Sequence, residues 1–323
     1  MEFALTDEQQ ELASTVRALV DKRADSAAVR SAMRSEPGYD ETLWQTLCEQ
    51  IGVAALVVPE EYDGVGASLF ETAVVLEELG RSLAPNPLLA STIAAAALLL
   101  HGSDQQRADL LPRIAAGTLA TAVLEPPLVL EPAAEIVLVP QGDALQLSDD
   151  RPEARPALDP TIRLGHLDAA ADPSQPLRDV ATALVTALQL GCARRGLDMT
   201  VAYAQERVQF GRPIGSFQAL KHRMADLLVL LEMTRSASWA ATGAASSYLQ
   251  SPTDDRAAAL HERATIAKAY CSDALDRIAS ETIQLHGGIA ITWEHDAHLV
   301  FKRAHALGQL FGQAHEHRSR MPL

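Results

Sequence analysis

A stretch of roughly 55 residues, 119–172, limits what this chain can fold into more than any other feature. It holds seven prolines, at 126, 127, 132, 140, 152, 156 and 160, between four short strand-like runs at 120–124, 136–139, 144–147 and 161–164. A strand uses about five or six residues. The stretch therefore has room for a few strands and a cover, not for a closed barrel. On both sides the pattern is helical, so any fold must place a small β region between two helical regions.

The first helical region, 1–118, is punctuated by its own caps. Thr6 and Gln9 have the spacing of a capping box, and Leu12, Val16, Leu19 and Val20 then fall on one face. Further helices are expected at 40–51, stopped by Gly52; at 69–83, broken by Pro85 and Pro87; at 90–101, stopped by Gly102; and at 104–116, stopped by Gly117. The stretch 57–66, with Pro59, Gly64 and Gly66, reads as a loop. After the β region, helical periodicity returns over 177–249, interrupted near Gly211, and continues at 256–286 and 294–311. Four long amphipathic helices predict an antiparallel bundle over 173–323.

Charge and cysteine content exclude several classes. The net charge of −15 argues against a nucleic-acid partner, because phosphate backbones select basic surfaces. Cys48, Cys192 and Cys271 are odd in number and far apart, which fits buried thiols and neither a disulfide framework nor a metal site. The apolar run near 88–100 is too short to span a bilayer. Met1, Glu2, Phe3 and Ala4 lack a basic, then apolar, leader pattern, so a cytoplasmic protein is expected.

Two motifs carry the chemistry. One is Glu206-Arg207-Val208-Gln209-Phe210-Gly211-Arg212-Pro213-Ile214-Gly215-Ser216-Phe217-Gln218; the other is Gln284-Leu285-His286-Gly287-Gly288, continuing to Asp296. Arg207 can fork onto a pyrophosphate, Phe210 offers an aromatic surface, and Gly287-Gly288 lets a backbone approach an anion without a Cβ between them. Read without wider context, Gly287-Gly288 could equally end a helix, and Arg207 could pair with a nearby acid.

Together with Val58-Pro59-Glu60-Glu61-Tyr62, Glu77-Glu78-Leu79-Gly80-Arg81, the segment at 102–106 and Leu111-Pro112-Arg113, these motifs resemble the acyl-CoA dehydrogenase family along nearly the whole chain. The resemblance implies a mainly α protein with an N-terminal helical domain (1–118), a reduced middle β domain (119–172) and a C-terminal four-helix bundle (173–323). It implies FAD shared across a subunit interface, with Arg207, Gln209, Phe210, Phe217, Gln218, Gln284, Gly287 and Gly288 as cofactor-binding residues. His286 would lie in that segment, either against the cofactor or in packing.

Two departures from the family pattern bear on activity. The flavin-binding segment survives only as Glu125-Pro126, followed by Pro127, Leu128 and Val129 instead of a Gly-Ser-Asp run. Where most members have the catalytic glutamate, the chain reads Phe311-Gly312-Gln313, and phenylalanine accepts no proton. No catalytic residue and no metal ligand is therefore assigned. The position of the base on an earlier helix in a minority of members falls near Thr182, with Asp179 as the nearby carboxylate.

The chain in this respect resembles the shorter, non-catalytic subunit of actinobacterial heterotetrameric enzymes acting on steroid side-chain CoA esters. A paralogous catalytic subunit, an acyl-CoA substrate and an electron-transfer flavoprotein are the implied partners. Two rivals stand beside this reading: a self-sufficient homo-oligomeric dehydrogenase using Asp179 or Glu294, and a non-enzymatic scaffold. Glu294 and Asp296 otherwise read as helix N-terminal caps, Glu60, Glu61, Glu77 and Glu78 as surface or interface carboxylates, and the late histidines 295, 298, 305, 315 and 317 as solvated.

Overall fold

A computed structural model describes residues 4–321. Residues 1–3, on which the leader reading rests, lie outside the described residues. The chain begins with α1 (Asp7–Arg23), whose Thr6–Gln9 capping box is formed, followed by α2 (Ser26–Ala32) and α3 (Glu41–Thr46). A wider turn at Leu47–Ile51 extends α3 to Gly52, which ends it in the left-handed region at φ 77°. Helices α4 (Leu69–Ser82), α5 (Leu88–His101) and α6 (Asp104–Ala115) follow; serines 68 and 103 close capping boxes on α4 and α6.

The β region makes two small sheets. In one, β1 (Ala120–Ala122) runs parallel to β3 (Ile136–Gly142), and β3 pairs antiparallel with β4 (Ala144–Leu147). In the other, β2 (Leu128–Leu130) and β5 (Glu153–Arg155) flank β6 (Leu164–His166). A two-residue β7 (Asp172–Pro173) joins the first sheet through β3. Two sequence expectations change here. The stretch replacing the Gly-Ser-Asp run is itself a strand, β2. The strand expected at 161–164 begins only at Leu164, because Asp159 and Thr161 form a buried turn: the Asp159 carboxylate accepts from the Thr161 N–H at 2.9 Å.

Three long helices and a shorter one complete the chain: α7 (Gln175–Glu206), α8 (Gln218–Gln250), α9 (Asp254–His286) and α10 (Ala297–Gln309), followed by α11 (Ala314–Ser319). Between α7 and α8 lies a tiny hairpin, β8 (Val208–Gln209) with β9 (Arg212–Pro213). The expectation of amphipathic helices fails for α7. Every residue from 179 to 193 is buried, because α7 packs against α4, α5, α8, α9 and α10 at once. A helix covered on all sides has no polar face to show. Close packing here uses glycine: a Cβ on Gly191 would land on the Glu77 carbonyl, and one on Gly80 would come within 2.6 Å of the Leu188 carbonyl.

Buried charges tie the regions together. Arg303 on α10 donates from Nε to Asp159 (3.2 Å) and Thr161 (2.9 Å), and from Nη2 to the carbonyls of Thr161 and Leu83. One side chain thus joins α10, the β region and the end of α4. Glu77 and Glu78 are buried, not surface, carboxylates: Glu78 pairs with Arg17 and Arg81, and Glu77 with Arg194. Burial pushes the Glu77 carboxyl above its usual range against the pull of Arg194. Asp296 sits before α10 but makes no side-chain cap. It accepts from Ser26 (2.6 Å) and Arg30 (2.7 Å) and faces Arg195, joining α2, α7 and α10. Burial pushes the Asp296 carboxyl up, but Ser26 and its two arginines outweigh this and hold it below the ordinary value. His298 and His317 are buried, contrary to the solvated reading. Cys192 and Cys271 are buried and Cys48 partly so, none in a disulfide.

Candidate functional site

Two places gather the residues singled out by the sequence. The first is the edge where α7 turns into α8 beside the end of α9. The N–H of Arg207 closes the last turn of α7 on Tyr203, leaving the guanidinium exposed. Phe210 and Gly211 both take positive φ, 54° and 78°, as a two-residue hairpin turn requires. The turn holds Phe210 out into solvent at 92% exposure, edge-on to Phe217 at 6.1 Å. Arg212 covers the Phe217 ring at 4.1 Å, and Gln218 starts α8 with its amide on His222. The Gln209 amide folds back on the Val208 carbonyl.

On the facing strand of chain, Gln284 is exposed on the last turn of α9 and Gly287 turns away at φ 69°, ψ −147°. This backbone conformation disfavours any residue with a Cβ. Beside Gly288 there is open space: no heavy atom lies within 4 Å of where a Cβ would stand. His286 is buried between the two segments. Its Nδ1 donates to the Thr282 carbonyl at 2.7 Å, and its ring stacks on Tyr203 with centroids 4.5 Å apart. That stack holds the ends of α7 and α9 side by side. Burial lowers the pKa of His286 and of His295, whose ring lies 4.6 Å away, so both favour the neutral form. His286 packs on Tyr203, while its buried Nε2 has no hydrogen-bond partner among the described residues. The other predicted residues line an exposed edge with one guanidinium, an exposed aromatic and an unobstructed glycine pair. This donor set fits a flavin dinucleotide's pyrophosphate and adenosine.

The second place is the turn after α10. Phe311 and Gly312 have φ 57° and 96°. The turn is clamped from three sides. Glu125 accepts the Phe311 N–H at 3.1 Å, His317 donates Nε2 to the Phe311 carbonyl at 2.8 Å, and the buried Lys268 donates to the carbonyls of Leu307 (2.7 Å) and Gly308 (3.2 Å). Burial pulls the Lys268 ammonium down to about 7. Around the turn is a polar cavity of about 260 Å³ lined by Glu125, Asp179, Thr182, Phe311, His317 and Arg320 among others. The two sequence positions considered for the base, Phe311 and the neighbourhood of Thr182, thus meet in one cavity. Burial raises the pKa of Glu125 and of Asp179, opposed at Glu125 by the Phe311 N–H and at Asp179 by Gln175 and His261. Glu294 is exposed and takes no part in this cavity. Sequence reading saw Glu125 only as a remnant of a flavin-binding segment. Its place opposite Phe311, 186 residues away, has no local signal.

Among the described residues, no group of three or more His, Cys, Asp or Glu is placed to hold a metal ion, and no helix is long and apolar enough to cross a membrane.

The helical region, small β region and bundle match known proteins. Residues 6–118 match the family model described as acyl-CoA dehydrogenase, N-terminal domain, and residues 179–321 the one described as acyl-CoA dehydrogenase, C-terminal domain. The chain belongs to the acyl-CoA dehydrogenase family, a family of oxidoreductases. It is 45% identical to acyl-CoA dehydrogenase IpdE2 of Mycolicibacterium smegmatis over 324 residues, covering 98% of each chain. Among solved structures, a steroid acyl-CoA dehydrogenase, the Tcur3481-Tcur3483 G363A variant, superimposes with a TM-score of 0.86 at 28% identity, over 97% of this chain and 96% of that one. The ChsE4-ChsE5 complex from Mycobacterium tuberculosis gives 0.82 at 25% identity over the full length of both.

Proposed function

We propose that this chain is the subunit of a heteromeric acyl-CoA dehydrogenase that completes its partner's FAD site without supplying the base. The observation that carries the reading is an asymmetry. The exposed Arg207–Gln218 edge and the open Gly287-Gly288 turn are kept, while the turn after α10 carries Phe311, which cannot take a proton. The full-length likeness to two-component structures supports a paralogous partner, and the steroid enzyme among them supports a steroid side-chain CoA thioester as substrate.

In the α,β-desaturation of an acyl-CoA, bound FAD supplies the hydride acceptor, and an electron-transfer flavoprotein is the expected reoxidant. The role of this chain is to bind and orient. Arg207, its guanidinium exposed, would neutralise pyrophosphate oxygens with paired N–H donors. The backbone at Gly287 and Gly288 would let them approach without a Cβ in the way, with Gln284 and Gln209 as flanking amides. The exposed Phe210 and its neighbour Phe217 would offer aromatic surface to the adenosine, with Gln218 at the start of α8. Residues 1–118, 119–172 and 173–323 are proposed as the working domains, with the last providing the interface helices.

The test is flavin content and native mass, for this chain alone and co-expressed with a paralogous partner. A colourless chain alone, and a yellow heterotetramer with about one FAD for every two chains, is expected. Arg207→Ala should then weaken FAD retention roughly ten-fold. A yellow homo-oligomer with one FAD per chain would overturn the reading. One observation favours that second reading: Asp179 and Glu125 share the cavity with Phe311, so a displaced base is available. An Asp179→Asn variant that stops flavin reduction in such a homo-oligomer would establish it.

A further inference from the structure

Residues 287–296 link the end of α9 to the start of α10. They carry the Gly287-Gly288 pair at one end and enter α10 at the other. A helix start leaves its first N–H groups without helical acceptors. Asp296 stands where a cap belongs, but its carboxylate is drawn away to Ser26 and Arg30 and caps nothing. His295 takes over part of that task. Its Nδ1 accepts the N–H of Ala297, the first residue of α10, at 3.2 Å. Ala297 is 0% exposed, so its amide depends on this acceptor.

An imidazole accepts a hydrogen bond only through an unprotonated nitrogen. The Ala297 bond therefore fixes the ring's proton on Nε2. A second proton would set an Nδ1–H against the Ala297 N–H, donor against donor. The surroundings give the cation little room. His286 from α9 lies 4.6 Å from the half-buried His295 ring, and Tyr203 from α7 meets it edge-on at 6.4 Å. Burial lowers the pKa of His295; Asp296 opposes this, while Arg195 from α7 and Arg30 from α2 add to it. Those two arginines already engage Asp296. His286 offers no relief, because its Nδ1–H is committed to the Thr282 carbonyl. On α10, buried His298 packs against Trp293 at 4.6 Å, and Lys302 lies over the same indole. The closed turn thus binds fewer protons than an open one just below the ordinary imidazole value of 6.5. It loses stability as pH falls through that window.

We propose that the turn at 287–296 is an acid-released catch. The neutral His295 ring holds it against α10, and protonation of that ring frees the segment bearing Gly287 and Gly288. On the function proposed above, on which this consequence rests, that segment faces the pyrophosphate of FAD, and the catch couples pH to cofactor retention.

The test is amide-exchange protection of the peptide spanning residues 287–300, read by mass spectrometry and corrected for the intrinsic pH dependence of exchange. It uses the full chain in the assembly it forms, at about pH 7.5 and about pH 5.5. Protection in the native chain should fall about ten-fold on acidification. His295→Asn should hold its protection at both, because an Asn side-chain oxygen also accepts the N–H two residues on and does not titrate. FAD content of the co-expressed assembly after desalting should follow: lost at the lower pH from the native complex, retained by His295→Asn. Unchanged protection in the native chain overturns the proposal, whatever the variant does. So does an equal loss in His295→Asn, or a loss abolished only by His298→Gln, since the titrating group would then lie elsewhere. FAD loss that is equal in both proteins while their protection differs overturns the coupling. An assembly that never holds FAD but shows the pH-dependent protection leaves the catch standing and overturns the FAD reading instead.

Discussion

Removing the Arg303 guanidinium tests how the small β region is held to the bundle. Arg303 is 3% exposed and Asp159 is wholly buried. Arg303→Met keeps much of the side chain's volume but deletes four donated hydrogen bonds, to Asp159, the Thr161 hydroxyl and the carbonyls of Thr161 and Leu83. Asp159 then keeps only its local bonds to Thr161 while remaining fully buried. Breaking one side of a buried pair costs about 3–5 kcal/mol, most of it the penalty on the stranded charge. Replacing both sides removes that penalty. The double variant Arg303→Met, Asp159→Leu should therefore be more stable than Arg303→Met alone by about 2 kcal/mol or more, despite carrying an extra substitution. Urea unfolding followed by circular dichroism, with refolding checked for reversibility, measures all three. A single-variant loss below about 1 kcal/mol, or a double variant that is the sum of its parts, would refute the claim that a desolvated charge pair carries this junction.

Other perturbations give distinct readouts. Gly191→Ala should destabilise by about 1–3 kcal/mol in the same unfolding assay, because the new Cβ lands on backbone at the α4–α7 crossing. The helix propensity gained, about 1 kcal/mol, does not offset this, and a stabilised variant would contradict the packing argument. Lys268 binds fewer protons folded than unfolded between about 7 and its ordinary value, so its contribution to stability should rise as pH increases through that window. Lys268→Met should remove this rise and leave the carbonyls of Leu307 and Gly308 without their donor; identical pH profiles for the two proteins would count against it. Asp296, held below its ordinary value, contributes stability that is present above the unfolded carboxylate pKa and lost as pH falls through the folded one. Asp296→Asn should flatten the acid limb of the stability profile.

Much of the architecture was legible in the chain alone. Capping residues, helix-stopping glycines and prolines act through backbone geometry within a few residues, which is why the starts of α1 and α6 and the strand β4 fall close to where local patterns put them. The prolines and short length of 119–172 limited the middle of the molecule to small sheets for the same reason. The interruption of the helical pattern near Gly211 and the end of a helix at Gly287 were legible for the same reason, while the left-handed backbone of Phe210 was not.

Only the tertiary structure decided what each buried charge does. Glu77 and Glu78 look like surface residues in sequence, and are buried because Arg17 and Arg194 arrive from distant elements to pair with them; Asp296, half-buried, is likewise held by Arg30 from far along the chain. The covering of α7 on all sides, the Arg303–Asp159 junction, and the meeting of Glu125, Asp179 and Phe311 around one cavity depend on contacts between residues far apart in the chain, from 52 (Thr186–Ser238) to 186 (Glu125–Phe311) positions. Local propensity sets which segments are helix or strand. The cost of desolvating a charge, which fixes the pairing and the proton affinity of these groups, exists only once the chain has closed around them.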